Sequence, residues 1–233
     1  MFAYANRFCN REWTWISKYF KTKTLPVGKA FIQTKQFAYA NKGGAMSDAE
    51  YALGVYCGIT FAGIKPASLF GLRREAVPAI EHCRSCFCRK GFAFEVMRED
   101  GERTLFYVYH RQKLDAVLFG AENRRFLEEE GYRYETAEQA VSQLKRRMYL
   151  EEFPHEIGIF LGYPLEDVKG FIAHPRRGVQ LTGYWKVYEN AEEKAKLFAR
   201  FRKCSQSICG KMRSGKSLTA IFDGQEPEKV EIN

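Results

Sequence analysis

Seven residues in one short stretch, His82-Cys83-Arg84-Ser85-Cys86-Phe87-Cys88, carry the densest set of soft donors in the chain. A Cys-x-x-Cys pair can grip zinc or an iron–sulfur cluster, because two thiolates one helical turn apart can aim at one ion. Cys83, Cys86 and Cys88 are therefore metal candidates. Two features weigh against the metal. No second Cys-x-x-Cys completes a four-ligand site, and on a helix Cys88 leaves the face that Cys83 and Cys86 share. The competing reading is a set of unligated thiols.

A second set is Cys57, His155 and Glu156. A thiol, an imidazole and a carboxylate are the parts of a nucleophilic site, with the base activating the sulfur and the acid orienting the base. The plainer alternative makes Cys57 a core thiol and places Glu156 at a helix N-terminus, where the dipole favours an acid. Whether the protein is an enzyme stays open.

Three further motifs carry competing readings. Gly210-Lys211-Met212-Arg213-Ser214-Gly215-Lys216-Ser217 matches the phosphate-loop pattern. That loop needs a strand before it and a helix after it; here a basic amphipathic helix precedes it, so coincidence is the expectation. Ile157 to Val168 has the spacing of a helix-turn-helix around Gly162. Residues 151–172, however, hold five acids against Lys169 alone. DNA is the wrong partner for such a charge, and a helical hairpin packed on the core is expected instead. Residues 190–217 hold eight Lys and Arg against Glu192 and Glu193. Such a face can meet RNA, an anionic ligand or an acidic protein partner, or it can be a solvated surface.

Composition bounds these options. The chain has 233 residues, 45% apolar and 28% charged, and a formal net charge of +9. These are the proportions of a globular chain, without the run of about 18 apolar residues that a membrane helix needs. The charge is uneven. Residues 1–45 carry eight Lys and Arg against Glu12, which leaves the other residues nearly neutral, with 29 bases against 27 acids. This leader can be a basic nucleic-acid arm, a targeting peptide or a mis-assigned start. The last is favoured, because Lys42-Gly43-Gly44-Ala45-Met46 back-translates into a purine-rich ribosome-binding site, a spacer and a start codon. Residues 1–45 are thus expected to be disordered or outside the natural protein. Seven cysteines, an odd number, with no visible export signal point to reduced thiols in a cytoplasmic setting.

The elements that must position these residues are readable in part. Ser47 or Asp48 can cap a helix to about Tyr56, after which Gly58, Gly63 and Pro66 break residues 57–70 with turns. Helices are expected over 72–88 with a boundary at Pro78, and over 112–119, 122–130 and 136–150. Two β-rich runs, 92–97 and 104–110, flank Asp100-Gly101 and predict a hairpin. Pro154 and Pro164 each start a helix. Val179–Tyr188 is a strand candidate, Asn190 caps a long amphipathic helix, and Leu218–Phe222 is expected to return to the sheet. The sum is a single compact α+β domain over 46–233, with a small, mostly antiparallel sheet packed by several helices.

From Met46 onward the chain resembles bacterial domain-of-unknown-function family 3793. The resemblance is carried by Tyr56-Cys57-Gly58-Ile59-Thr60-Phe61-Ala62-Gly63-Ile64-Lys65, by Phe153 to Ile172 with its Pro-His-Glu-Ile-Gly and Gly-Tyr-Pro steps, and by Gly183-Tyr184-Trp185-Lys186-Val187-Tyr188. It spans about residues 46–222. Tyr56 and Ile59 stand where the family pattern has His and Pro, and the 82–88 cysteines are not part of that pattern. The resemblance implies no activity and no cofactor; at most it implies an association with redox or iron handling. The expected function is a binding or accessory protein. Its ligand site would be built from Lys65, Tyr163, Trp185, Lys186 and Tyr188, with the lysines holding an anion and Trp185 stacking on a ring. The alternatives are the thiol enzyme and nucleic-acid binding through the last helix.

Overall fold

The computed structural model describes residues 46–150 and 153–223; the expectations for residues 1–45 lie outside that range. The described chain is α+β, and it divides into two compact units, residues 118–202 and residues 46–117 with 203–223.

The second of these contains the sheet. Helix α1, Asp48–Phe61, starts where Ser47 Oγ accepts from Glu50 N at 3.1 Å. It runs past Gly58 and ends at Gly63, whose φ of 72° lets Ile64 N reach back to Ile59 O at 3.1 Å. Strand β1, Ala67–Arg73, leads through a 3-10 turn, Arg74–Ile80, into α2, Glu81–Arg89. Strands β2, Phe92–Glu99, and β3, Arg103–His110, form the expected hairpin. Its turn is closed by Asp100 Oδ1, which accepts from Arg103 N at 3.0 Å. The sheet is antiparallel in the order β1-β3-β2.

Strand β1 replaces the irregular segment expected there. Its first four residues are all buried, so no alternation of apolar and polar side chains marks it in the sequence. Behind the sheet lies a cluster of phenylalanines centred on Phe61, whose ring stacks on Phe87 at 3.7 Å and meets Phe92 edge-on at 5.3 Å.

The remaining elements are helix-rich. Helix α3 is Arg111–Leu118, α4 Ala121–Glu129, and α5 Ala137–Arg147, the last capped by Thr136. Two short helices, α6 Ile157–Phe160 and α7 Leu165–Ala173, turn at Gly162, with φ of 74°. The expected strand 179–188 is a small hairpin of β4, Leu181–Thr182, and β5, Lys186–Val187. Helix α8, Ala191–Arg213, supplies residues to both units. Its C-terminal half packs closely on α1: a Cβ on Gly58 would lie 2.9 Å from Ile208 Cδ1.

The return strand expected at 218–222 is instead helix α9, Leu218–Ile221. Ser217 Oγ accepts from Ala220 N at 3.2 Å, and the Glu50 carboxylate accepts from Leu218 N at 2.7 Å. Four apolar residues cannot distinguish a helical turn from a strand by period alone; here the cap decides. The same geometry disposes of the phosphate loop. Gly210 lies inside α8, Gly215 terminates that helix with φ of 89°, and Ser217 is a cap.

Candidate functional site

Within residues 118–202 a buried carboxylate organises the most chemically varied surface. Asp167 lies in the first turn of α7 and is 2% exposed. Its Oδ2 accepts from Trp185 Nε1 at 2.6 Å, and its Oδ1 accepts from Tyr188 N at 2.7 Å and Glu189 N at 3.4 Å. One side chain thus ties the hairpin to the helix. A buried anion is tolerable there because each oxygen is met by donors. Gly170 completes the join, since a Cβ there would lie 2.5 Å from the Tyr188 ring.

Over this anchor opens a cleft lined by His155, Tyr163, Val168, Phe171, Trp185 and Lys186 with Asp167. Tyr163 stacks on Trp185 with ring centroids 4.7 Å apart. The stack fills most of the space: about 10 Å³ remains free, about enough for one water. Lys186 Nζ donates to Pro175 O at 2.6 Å and lies 5.5 Å from the Phe171 ring centroid. The Phe171 ring also meets the His155 imidazole at 5.2 Å. Among the described residues no carboxylate lies within ion-pair distance of Lys186. Burial, then Asp167, raises the Tyr188 hydroxyl, which donates to His174 O at 3.0 Å.

Three of the five expected ligand residues, Tyr163, Trp185 and Lys186, therefore line one cleft, and Tyr188 is tied to it through Asp167. The fifth, Lys65, is 5% exposed in the turn after α1 and belongs to the other unit. Asp167, Phe171 and His155 were not among the expected ligand residues, and Asp167 is the least legible. In the sequence it reads as an ordinary acid in a first helical turn, and only its three donors reveal its task.

The thiol-enzyme set divides differently. Cys57 is fully buried in the core of the sheet unit, whereas His155 and Glu156 belong to the other one. Glu156 is already engaged. It accepts from Tyr132 Oη and from Arg147 Nη1, both at 2.9 Å, and the Arg147 guanidinium lies 4.3 Å over the Tyr132 ring. Burial, then Glu156, pushes the Tyr132 hydroxyl well up, so it remains a donor.

The cysteine cluster on α2 splits by face. Cys83 is buried, Cys88 packs partly against the phenylalanine core, and Cys86 faces outward beside His82 and Arg89. Among the described residues no group of three or more His, Cys, Asp or Glu side chains is arranged to hold a metal ion.

On α8, part of the basic face is internally compensated: Lys194 pairs with Glu166 at 3.6 Å and Lys196 with Glu192 at 3.0 Å. Arg200, Lys203 and Lys211 are exposed and have no carboxylate at ion-pair distance among the described residues. No described helix is long and apolar enough to cross a membrane.

No curated protein and no solved structure matches the chain. One family does, over residues 53–222, and it is described as "Protein of unknown function (DUF3793)". That span takes in the cleft, the three-stranded sheet and the whole of α8, and the chain belongs to this family.

Proposed function

We propose that the protein is a binding or accessory protein for a small anionic molecule, engaged at the mouth of the 118–202 cleft rather than enclosed by it. The observation that carries this reading is Lys186, whose ammonium is held by a neutral carbonyl and an aromatic face, with no described carboxylate at ion-pair distance. A cation so placed has charge to offer an incoming anion, with the Phe171 ring beside it and the His155 imidazole lining the same cleft. The tight Tyr163–Trp185 stack argues for a shallow ligand or for a stack that parts on binding. Six described cysteines, all free thiols, fit a reducing, cytosolic setting. The link to redox or iron handling rests on the family resemblance alone.

The test titrates the full chain with inorganic phosphate and with phenyl phosphate while following amide and indole resonances. Shifts should concentrate at residues 153–188, and phenyl phosphate should bind more tightly. Lys186→Met should weaken binding about tenfold, the cost of one charged hydrogen bond. Shifts elsewhere, or indifference to that substitution, refute the reading.

A second reading, an anionic macromolecule on α8, is supported by the exposed Arg200, Lys203 and Lys211. It requires binding to single-stranded RNA that falls steeply with salt. A flat response removes it. The thiol enzyme has less support, because Cys57 is sealed in a core and Glu156 is held by Tyr132 and Arg147.

A further inference from the structure

Helix α2 carries a thiol that the cleft does not use. Cys86 is partly exposed and stands outside the phenylalanine core. One turn earlier, His82 Nε2 lies 3.7 Å from its sulfur, and one turn later Arg89 Nη2 donates to that sulfur at 3.4 Å. Spacings of four and three residues put all three on one helix face, and both flanking side chains are exposed. The other described thiols have different surroundings. Cys57 and Cys83 are buried, Cys88 packs partly against the core, and burial raises Cys204 and Cys209. A thiolate is the attacking species in exchange, and the partly exposed Cys86 sulfur has an imidazole and a guanidinium at contact distance.

We propose that Cys86 is a site of reversible thiol–disulfide exchange with low-molecular-weight disulfides, flanked by His82 and Arg89 as positioning residues. In the step, the Cys86 sulfur gives up its proton to His82 or water and attacks one sulfur of the reagent. The reagent's S–S bond breaks as the new one forms. Cys86 is oxidised to a mixed disulfide, and the other half of the reagent leaves reduced, as a thiolate.

The Cys-x-x-Cys spacing would ordinarily suggest that Cys83 then displaces the adduct and closes an internal disulfide. Its surroundings oppose that. Cys83 is 2% exposed, and burial, followed by the Glu50 carboxylate and Cys86, pushes its thiol up to about 12. The mixed disulfide at Cys86 is therefore the persistent product. This inference does not depend on the cleft.

The test incubates the full chain with limiting oxidised glutathione, quenches with acid and maps the peptides. Cys86 should be modified first among the six described cysteines, with little Cys83–Cys86 crosslink. Arg89→Ala should slow the Cys86 reaction about three- to tenfold, and Arg89→Lys should restore most of the rate. The rates at the other thiols should stay unchanged, which a general loss of structure would not allow. Cys86→Ser, or Cys86→Ala should the serine misfold, should abolish the adduct. Earlier modification of another described thiol, a dominant Cys83–Cys86 disulfide, or an Arg89→Ala rate equal to wild type would overturn the proposal.

Discussion

Replacing Asp167 tests the organisation of the cleft most directly. The carboxylate is 2% exposed and takes two short hydrogen bonds, from Trp185 Nε1 at 2.6 Å and Tyr188 N at 2.7 Å, with a weaker one from Glu189 N at 3.4 Å. Bonds to a charged acceptor contribute about 1.5–3 kcal/mol each. Asp167→Ala strands both strong donors, but it also removes the cost of burying a charge, so a net loss of about 3 kcal/mol is expected. Asp167→Asn preserves the shape and one acceptor. Its amide NH2 then confronts the Trp185 N–H, donor against donor, for a loss of about 2 kcal/mol.

Pairing Asp167→Asn with Trp185→Phe isolates that clash. The double variant should recover about 1 kcal/mol relative to additivity, because the opposing donor is gone. Urea unfolding followed by far-ultraviolet circular dichroism gives the free energies. Native-state hydrogen exchange at the Tyr188 and Glu189 amides reports the local bonds. A loss below about 0.5 kcal/mol for Asp167→Ala, with unaltered exchange at Tyr188, would show that the carboxylate does not hold the hairpin.

Three other expectations follow from geometry. Gly183→Ala would set a methyl 2.3 Å from the rigid Phe198 ring and should cost about 1–3 kcal/mol by thermal unfolding; a neutral result would mean that the hairpin shifts freely. Arg147→Met removes the cation from the buried Glu156 while leaving the Tyr132 bond, so a loss of about 2–4 kcal/mol at pH 7 is expected. Burial, with Lys113 and Arg111 nearby, holds the His110 imidazole below its ordinary value of 6.5. The unfolded chain therefore binds the proton more readily, so this contribution to stability is complete above about pH 6.5 and is lost as the pH falls through the folded value. His110→Asn should flatten the fall in urea midpoint between pH 7 and pH 5.5; an equal fall in both proteins would remove His110 as the cause.

Local signals in the sequence determined much of the fold. The Asp100-Gly101 turn between two β-rich runs specified the β2–β3 hairpin, because few residues tolerate the φ of 74° found at Gly101. Ser47 announced a helix start, since its hydroxyl accepts from a backbone donor that a first turn leaves open. Gly162 and Pro164 marked the break between α6 and α7. The family resemblance was likewise legible in short runs of residues.

Tertiary contacts decided the rest. Strand β1 lacks a period because it is buried at both faces, so only its pairing with β3 makes it a strand. The run 218–221 became a helix because Ser217 and Glu50 take its first amide protons, and Glu50 is remote in sequence. Trp185, Lys186 and Tyr163 could be nominated from their types. Their assembly depended on Asp167, whose hydrogen bonds cross to residues 185–189 and leave no mark on local composition. The separation of Cys86 from Cys83 has the same origin. Neighbouring thiols on one helix acquire different chemistry only when one turns toward a core and the other toward an imidazole and a guanidinium.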